Sequence, residues 1–293
     1  MTATILITGA GGQLGQELAR SIPAGMRGIA LGRAELDIAD AEQVHYTLAA
    51  LAPAVVINAA AYTAVDRAES EVVAAMAVNA AGPAALAAGC AQVNARLIHI
   101  STDFVFDGAA ATPYAPNARP APLGVYGRSK LAGEQRLRGI LPEALVLRTG
   151  WVYSARGANF VKTMLRLMAE RDTLTVVADQ VGTPTWAAGL AGAIWAAVDR
   201  PAVSGTYHWS DAGVCSWYDF AVAIAEEALA LGLLQGMPAI RPIPGSAYPT
   251  PARRPAFSVL DKTSSWRDLE LEPVHWRQNL RRMLAELAAE KSL

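Results

Sequence analysis

A chain of 293 residues with 53% hydrophobic and 17% charged side chains can bury a large core, as one big domain or two that share a boundary. A formal net charge of −1, with no basic run of five, excludes the footprint of a nucleic-acid binder and points to a small-molecule partner. Cys90 and Cys215 are too few and too far apart for a disulfide scaffold.

The start, MTATILITGAGG, lacks the basic region and the length of a signal peptide. No membrane span is expected either. The alanine-rich segment 74–93 comes nearest, but Asn79, Gly82, Pro83 and Gln92 interrupt it. A cytoplasmic protein is the economical expectation.

TILIT (4–8) predicts a first strand that runs into a glycine turn and the helical QLGQELARSI. Gly9, Gly12 and Gly15 stand there in GxxGxxG spacing. Glycines allow a tight turn and close backbone approach, and the helix they open offers free N–H groups to phosphate. Between a first strand and a first helix, this pattern points to a dinucleotide.

GIALG (28–32) is the second strand, and Gly32-Arg33 follows where an NAD site usually has an acidic residue. An arginine there pairs with a 2′-phosphate, so NADPH is favoured, with NADH the alternative. Asp37 and Ile38 stand where they can flank the adenine, and Asp40 is placed to cap the next helix. VVINAAA (55–61) predicts a third strand, followed by the long alanine-rich region.

RLIHISTDFVF (96–106) is the fourth strand, ending in Ser101, Thr102 and Asp103. The carboxyl end of a parallel strand is where such folds bind ligands, and a hydroxyl there can polarise a carbonyl. The stretch GVYGRSKLAGEQ then sets Tyr126 and Lys130 at i and i+4, on one helix face. Alone, that pair also fits a solvated helix. Beside Thr102 it makes a keto-reduction site, with Tyr126 giving a proton. The Lys130 ammonium is expected to lower the phenol's pKa, with help from a cationic nicotinamide ring.

ALVLRTGWVY (144–153) closes a series of strands alternating with helices, whose apolar runs lack strict alternation. This predicts an α/β fold: a doubly wound parallel (Rossmann) sheet with a smaller C-terminal substrate-binding region. The expected division is 1–150 for the nucleotide and 151–293 mainly for substrate, with segments returning to the first domain. Helical patterns follow at NFVKTMLRLMAER, WAAGLAGAIWAAV, SWYDFAVAIAEEAL and WRQNLRRMLAELAAE. IRPIPGSAYPTPARRP (240–255) reads as too proline-rich for regular structure.

His45, His99, His208 and His275 show no ligand spacing, and His99 reads as a core histidine. Trp151 is a candidate to stack on the sugar or base. Trp195, Trp209, Trp217, Trp266 and Trp276 read as packing. Arg253 and Arg254 border the proline-rich loop and are candidates to clamp a diphosphate.

Together, ITGAGGQLGQEL, VINAAAYTAVDRAES, ISTDFVFDG, VYGRSKLAGE, LRTGWVY, NFVKTMLRL, DQVGTPTW and AYPTPARRPAFSVLD resemble the extended short-chain dehydrogenases/reductases over essentially the whole chain. Within them the chain is similar to the branch that reduces the C4 keto group of a dTDP-4-keto-sugar nucleotide to give dTDP-L-rhamnose. The resemblance implies that Tyr126 donates the proton, Lys130 binds the nicotinamide ribose and Thr102 tunes the tyrosine. It places Gly12, Gln13 and Leu14 at the pyrophosphate, Asp37 and Ile38 at the adenine, and Ala61, Tyr62 and Thr63 along the cofactor. Thr102, Asp103, Trp151, Asn159 and Arg254 are implied at the substrate.

Two departures stand out. Phe104 replaces the tyrosine usual in STDYVF. Some relatives bridge a dimer with Mg2+ through three glutamates; Glu17 and Glu286 fall near two of those places, but Ala188 stands at the third. No metal ligand is therefore assigned, and a monomer or a homodimer is expected. The competing readings are a nucleotide-sugar epimerase or dehydratase with retained NAD, which Arg33 opposes, and a non-catalytic relative of the same fold.

Overall fold

The computed structural model describes residues 3–291. Its centre is a six-stranded parallel sheet: β1 (Thr4–Thr8), β2 (Arg27–Leu31), β3 (Val55–Asn58), β4 (Arg96–Thr102), β5 (Leu145–Thr149) and β6 (Gly205–His208). The spatial order is β6-β5-β4-β3-β1-β2, with every neighbouring pair parallel. The order reverses at β1, so the crevice at the carboxyl ends of β1 and β3 is the switch point where such sheets take ligands.

The strands are apolar on both faces because both faces are covered. Leu6, Val56, Leu97 and Val146 pack with Val44, Leu48, Leu86 and Leu137. These come from three helices on one layer: α2 (Ala41–Leu51), α3 (Gly82–Val93) and α4 (Val125–Ile140). On the opposite face Ile5, Ile7, Ile57, Ile98 and Leu147 meet Leu14 and Leu18 of α1 (Gln13–Arg20). The same layer holds Leu190, Ala191 and Ile194 of the helix Ala187–Val198. This helix and β6 come from the second half of the chain yet complete the first sheet.

A second core lies outside the sheet, built on Tyr153, Val161, Met164, Phe220, Ile224, Leu280 and Met283. It joins the helices Phe160–Glu170, Trp217–Ala230 and Trp276–Lys291.

Two local expectations are corrected. The proline-rich loop contains a strand, Ala239–Ile243, parallel to Thr173–Val177 with Pro242 opposite Val176. A two-stranded pair leaves each strand one free edge, where a residue without an N–H is tolerated. The alanine-rich region is helical from Val72 to Val93 and is long and apolar enough, by length and composition alone, to cross a membrane. In the fold its Ala75, Ala80, Leu86, Ala87 and Cys90 are buried against protein. Gly82 and Pro83 do not break it, because they follow a π turn at Ala77–Ala81 that leads straight into α3.

Candidate active site

The glycine turn sits at the switch point. Gly9 has φ +73, and a Cβ on it would lie 2.6 Å from Ala60 N. A Cβ on Gly15 would lie 2.1 Å from Gly9 O, so neither position admits a side chain. Gly11, by contrast, has open space around its Cα. Gly12 caps α1 with no side-chain hydrogen bond, leaving the first-turn N–H groups of Gln13 and Leu14 without a side-chain acceptor. A tight turn, open space and uncapped amides fit a pyrophosphate.

Past β2, Arg33 is largely exposed and pairs with Asp37 at 3.2 Å. Asp37 also accepts from Ala39 N–H at 3.0 Å, and Glu35 accepts from Gly32 N–H at 2.7 Å. Ile38 is buried in the core. Arg33 is thus an exposed cation at the β2 edge, while Asp37 is already half engaged.

Ala61, Tyr62 and Thr63 follow β3 and are held by a residue the motifs did not single out. Asn79 Oδ1 accepts from Tyr62 N–H at 2.8 Å, and its Nδ2 donates to Tyr62 O at 2.9 Å and to Ser129 Oγ at 3.0 Å. Ser129 in turn donates to Tyr126 O at 2.8 Å. Asn79 lies in the π turn, a bulge often found at functional sites, and couples the β3 loop to α4. Its one sequence signal was a lone amide inside an alanine run.

Tyr126 and Lys130 are on the first two turns of α4, facing the end of β4. The Tyr126 hydroxyl is in hydrogen-bonding contact with Thr102. Lys130 is buried and donates to Ile100 O at 2.6 Å. Burial drives the Lys130 ammonium down to about 8, opposed by the charge of Glu134. Although Tyr126 as a whole is only half-buried, desolvation pushes its phenol up to about 12; the Thr102 contact opposes this and the Asp103 charge adds to it. The expected lowering by lysine does not appear. Lys130 spends its proton on a backbone carbonyl, and burial is the larger effect.

The helix itself is anchored deep in the protein. Glu134 accepts from Arg148 through both oxygens, at 2.9 and 2.7 Å, and from Ser101 Oγ at 2.5 Å. All three residues are buried. Glu69 Oε1 accepts from Val125 N–H at 2.7 Å and so caps α4 from 56 residues away. Within β4, His99 is fully buried: Nδ1 is 3.0 Å from Asn58 Nδ2, and Nε2 has no hydrogen-bond partner. Burial and then the Lys130 charge hold it well below its ordinary pKa, which makes it a neutral core histidine.

Comparison with known proteins agrees with this geometry. The family described as RmlD substrate binding domain matches residues 3–289. A dTDP-4-dehydrorhamnose reductase of Aggregatibacter actinomycetemcomitans is 42% identical over 290 residues, covering 97% of this chain and 99% of that protein. The chain belongs to the dTDP-4-dehydrorhamnose reductase family.

Two solved members share its shape. The Clostridium acetobutylicum reductase has a TM-score of 0.91 at 38% identity, covering 97% of this chain and 99% of that one. The Bacillus anthracis reductase, solved in complex with NADP, has a TM-score of 0.91 at 36% identity, covering 98% of this chain and 100% of that one.

On the substrate side of this family member, Trp151 follows β5 in a left-handed conformation, φ +51. Its ring stacks on Trp217 with centroids 3.5 Å apart and planes 4° from parallel. Trp217, expected only to pack, therefore backs the candidate stacking residue. Phe104 meets the Tyr126 ring edge-on at 5.5 Å, so an aromatic contact stands where a hydroxyl is usual.

Asn159 caps the helix Phe160–Glu170 and donates to Gln13 Oε1 at 3.0 Å, which ties the second half to the glycine turn. Arg254 is paired through two nitrogens with Asp66, at 3.1 and 2.8 Å, and is not free in this structure. No hydrogen bond or ion pair brings Arg253 to it.

The two glutamates near the family's metal positions have other partners. Glu17 accepts from Ser154 Oγ at 2.6 Å, and Glu286 pairs with Arg20 at 3.2 Å and Arg156 at 3.4 Å. Arg20 and Arg156 pair with Glu286, but burial and the nearby Glu17 charge still hold its carboxyl above the ordinary range, and Ala188 brings no oxygen.

Proposed function

We propose that this protein reduces the C4 keto group of dTDP-4-dehydrorhamnose with NADPH, giving dTDP-L-rhamnose for cell-surface polysaccharide. The observation that carries the reading is the convergence of Tyr126, Lys130 and Thr102 at the end of β4, beside a glycine turn open to pyrophosphate. The first-turn amides of α1 hold the pyrophosphate, Arg33 meets the 2′-phosphate, and Asp37 and Ile38 border the adenine. Ala61, Tyr62, Thr63 and Lys130 line the path to the nicotinamide. Bound NADPH supplies the hydride.

Tyr126 gives its phenolic proton to the carbonyl oxygen as negative charge builds there, which is general acid catalysis. Thr102 orients that oxygen. Trp151, Asn159, Asp103 and Arg254 border the sugar nucleotide, so residues 1–150 serve mainly the cofactor and the second half mainly the substrate. Two free, buried cysteines suit a cytoplasmic setting, and we favour a monomer or a homodimer without Mg2+.

The test follows NADPH absorbance with a panel of 4-keto-sugar nucleotides. Stoichiometric NADPH consumption with the dTDP-4-keto-6-deoxy sugar is expected. Tyr126→Phe should abolish turnover and keep NADPH binding. Absence of wild-type turnover with that sugar, or turnover on tightly retained NAD, would sink the reading.

A further inference from the structure

At the carboxyl end of β4, three hydroxyls and one carboxyl group form a continuous chain. The Tyr126 phenol contacts Thr102, Thr102 Oγ1 lies 3.1 Å from Asp103 Oδ1, and the Ser258 side chain hydrogen-bonds the same carboxyl. From the other side Phe104 N–H donates to Thr102 Oγ1 at 3.2 Å. Ser258 is buried and arrives on a segment far from β4 in sequence, held by its own N–H to Val181 O at 2.8 Å. Asp103 is buried as well, and the Gly150 backbone closes on it so tightly that a Cβ there would sit 2.5 Å from the carboxyl. Asp103 cannot swing away from Thr102.

Thr102 has one hydroxyl proton and two lone pairs. Phe104 N–H occupies one lone pair. If Asp103 is ionised, it draws the Thr102 proton, and Thr102 then faces the phenol only as an acceptor. Tyr126 donates to it, and the proton meant for the ketone is held back. If Asp103 is neutral, its O–H fills the second lone pair, and the Thr102 proton is released toward the substrate oxygen or the forming phenolate.

We propose that Asp103, fixed by Ser258, is a positioning residue that sets the direction of the Thr102 hydroxyl, and that its neutral form is the productive one. This rests on the ketone-reducing function proposed above. Burial pushes the Asp103 carboxyl up to about 6, opposed by the hydrogen bonds from Ser258 and Thr102, so both forms are populated at mildly acidic pH. The titratable group facing it is the Tyr126 phenol, which its charge pushes further up. Ser258 favours the ionised form, so removing its hydroxyl raises the carboxyl's affinity for a proton.

The experiment is the pH profile of kcat for wild type, Ser258→Ala, Ser258→Thr and Asp103→Asn, with pH-difference infrared spectroscopy of the Asp103 carboxyl in the free enzymes. In the wild type kcat is expected to fall as pH rises through about 6. Ser258→Ala should move both that limb and the infrared titration upward by about one pH unit, a roughly tenfold change in the neutral fraction above the limb. Ser258→Thr should restore the wild-type position, and Asp103→Asn should remove the limb. NADPH affinity should stay within about threefold throughout, since no chain member meets the pyrophosphate. Turnover with a limb that stays in place in Ser258→Ala and Asp103→Asn overturns this proposal alone. An infrared titration that moves while the kcat limb does not also overturns it. No wild-type turnover at any pH overturns the reductase reading and this proposal with it.

Discussion

A phenol held up at about 12 keeps its proton at neutral pH, so in the proposed reaction Tyr126 enters as a loaded acid. Lys130 sets the other limit. Its ammonium, brought down to about 8 by burial, is fully charged below that value and loses charge above it. NADPH affinity and kcat/KM should therefore fall together as pH rises through about 8. Stability should move the other way. Between about 8 and the ordinary lysine value of 10.5 the unfolded chain holds the extra proton, so this group makes the fold more stable as pH rises. Denaturant midpoints and kinetics over that range check both signs. At the β2 edge, Arg33→Asp should turn the cofactor preference, read as the NADPH/NADH ratio of kcat/KM, toward NADH by at least tenfold, the scale of one lost charge-assisted pair. An unchanged ratio would leave Arg33 as a surface cation.

At the scale of the element, α4 works only if its first two turns are held still. Its helix and the shared face of Tyr126 and Lys130 were legible in GVYGRSKLAGEQ, but its anchors were not. No local pattern singles out Glu134, and its buried fork with Arg148 forms only when α4 lies across β4 and β5. Glu69 caps the helix from a loop after β3, a contact no local pattern announces. Breaking a buried pair strands a charge, so Glu134→Ala should cost about 3–5 kcal/mol of stability. Equilibrium denaturation reads the loss. A value under about 1 kcal/mol would put the pair in the class of surface salt bridges. The strand Ala239–Ile243 teaches the converse: a proline-rich stretch hid an edge strand whose pairing does not need the N–H that Pro242 lacks.

Across the whole molecule, the second half both completes the first sheet and closes over the site. Asn159 reaches Gln13, Ser154 reaches Glu17, and Arg254 reaches Asp66. The Arg254–Asp66 pair is partly exposed, so it adds little stability, about 0–1 kcal/mol. Its proposed value is position: the guanidinium rests on the Asp66 carboxylate, which a substrate diphosphate would replace. Arg254→Ala should raise KM for the sugar nucleotide roughly tenfold with NADPH affinity unchanged, as steady-state kinetics will show. The sequence by itself determined the alternation of strands and helices, the glycine turn and the Tyr126–Lys130–Thr102 set. Those features are carried by local periodicity and by residue types at short spacing. Tertiary structure alone decided the burial that raises Tyr126, the carboxyl fork that fixes α4, the stacking of Trp151 on Trp217 and the Ser258–Asp103 contact. Each depends on desolvation or on groups far apart in the chain, and neither leaves a mark on local pattern.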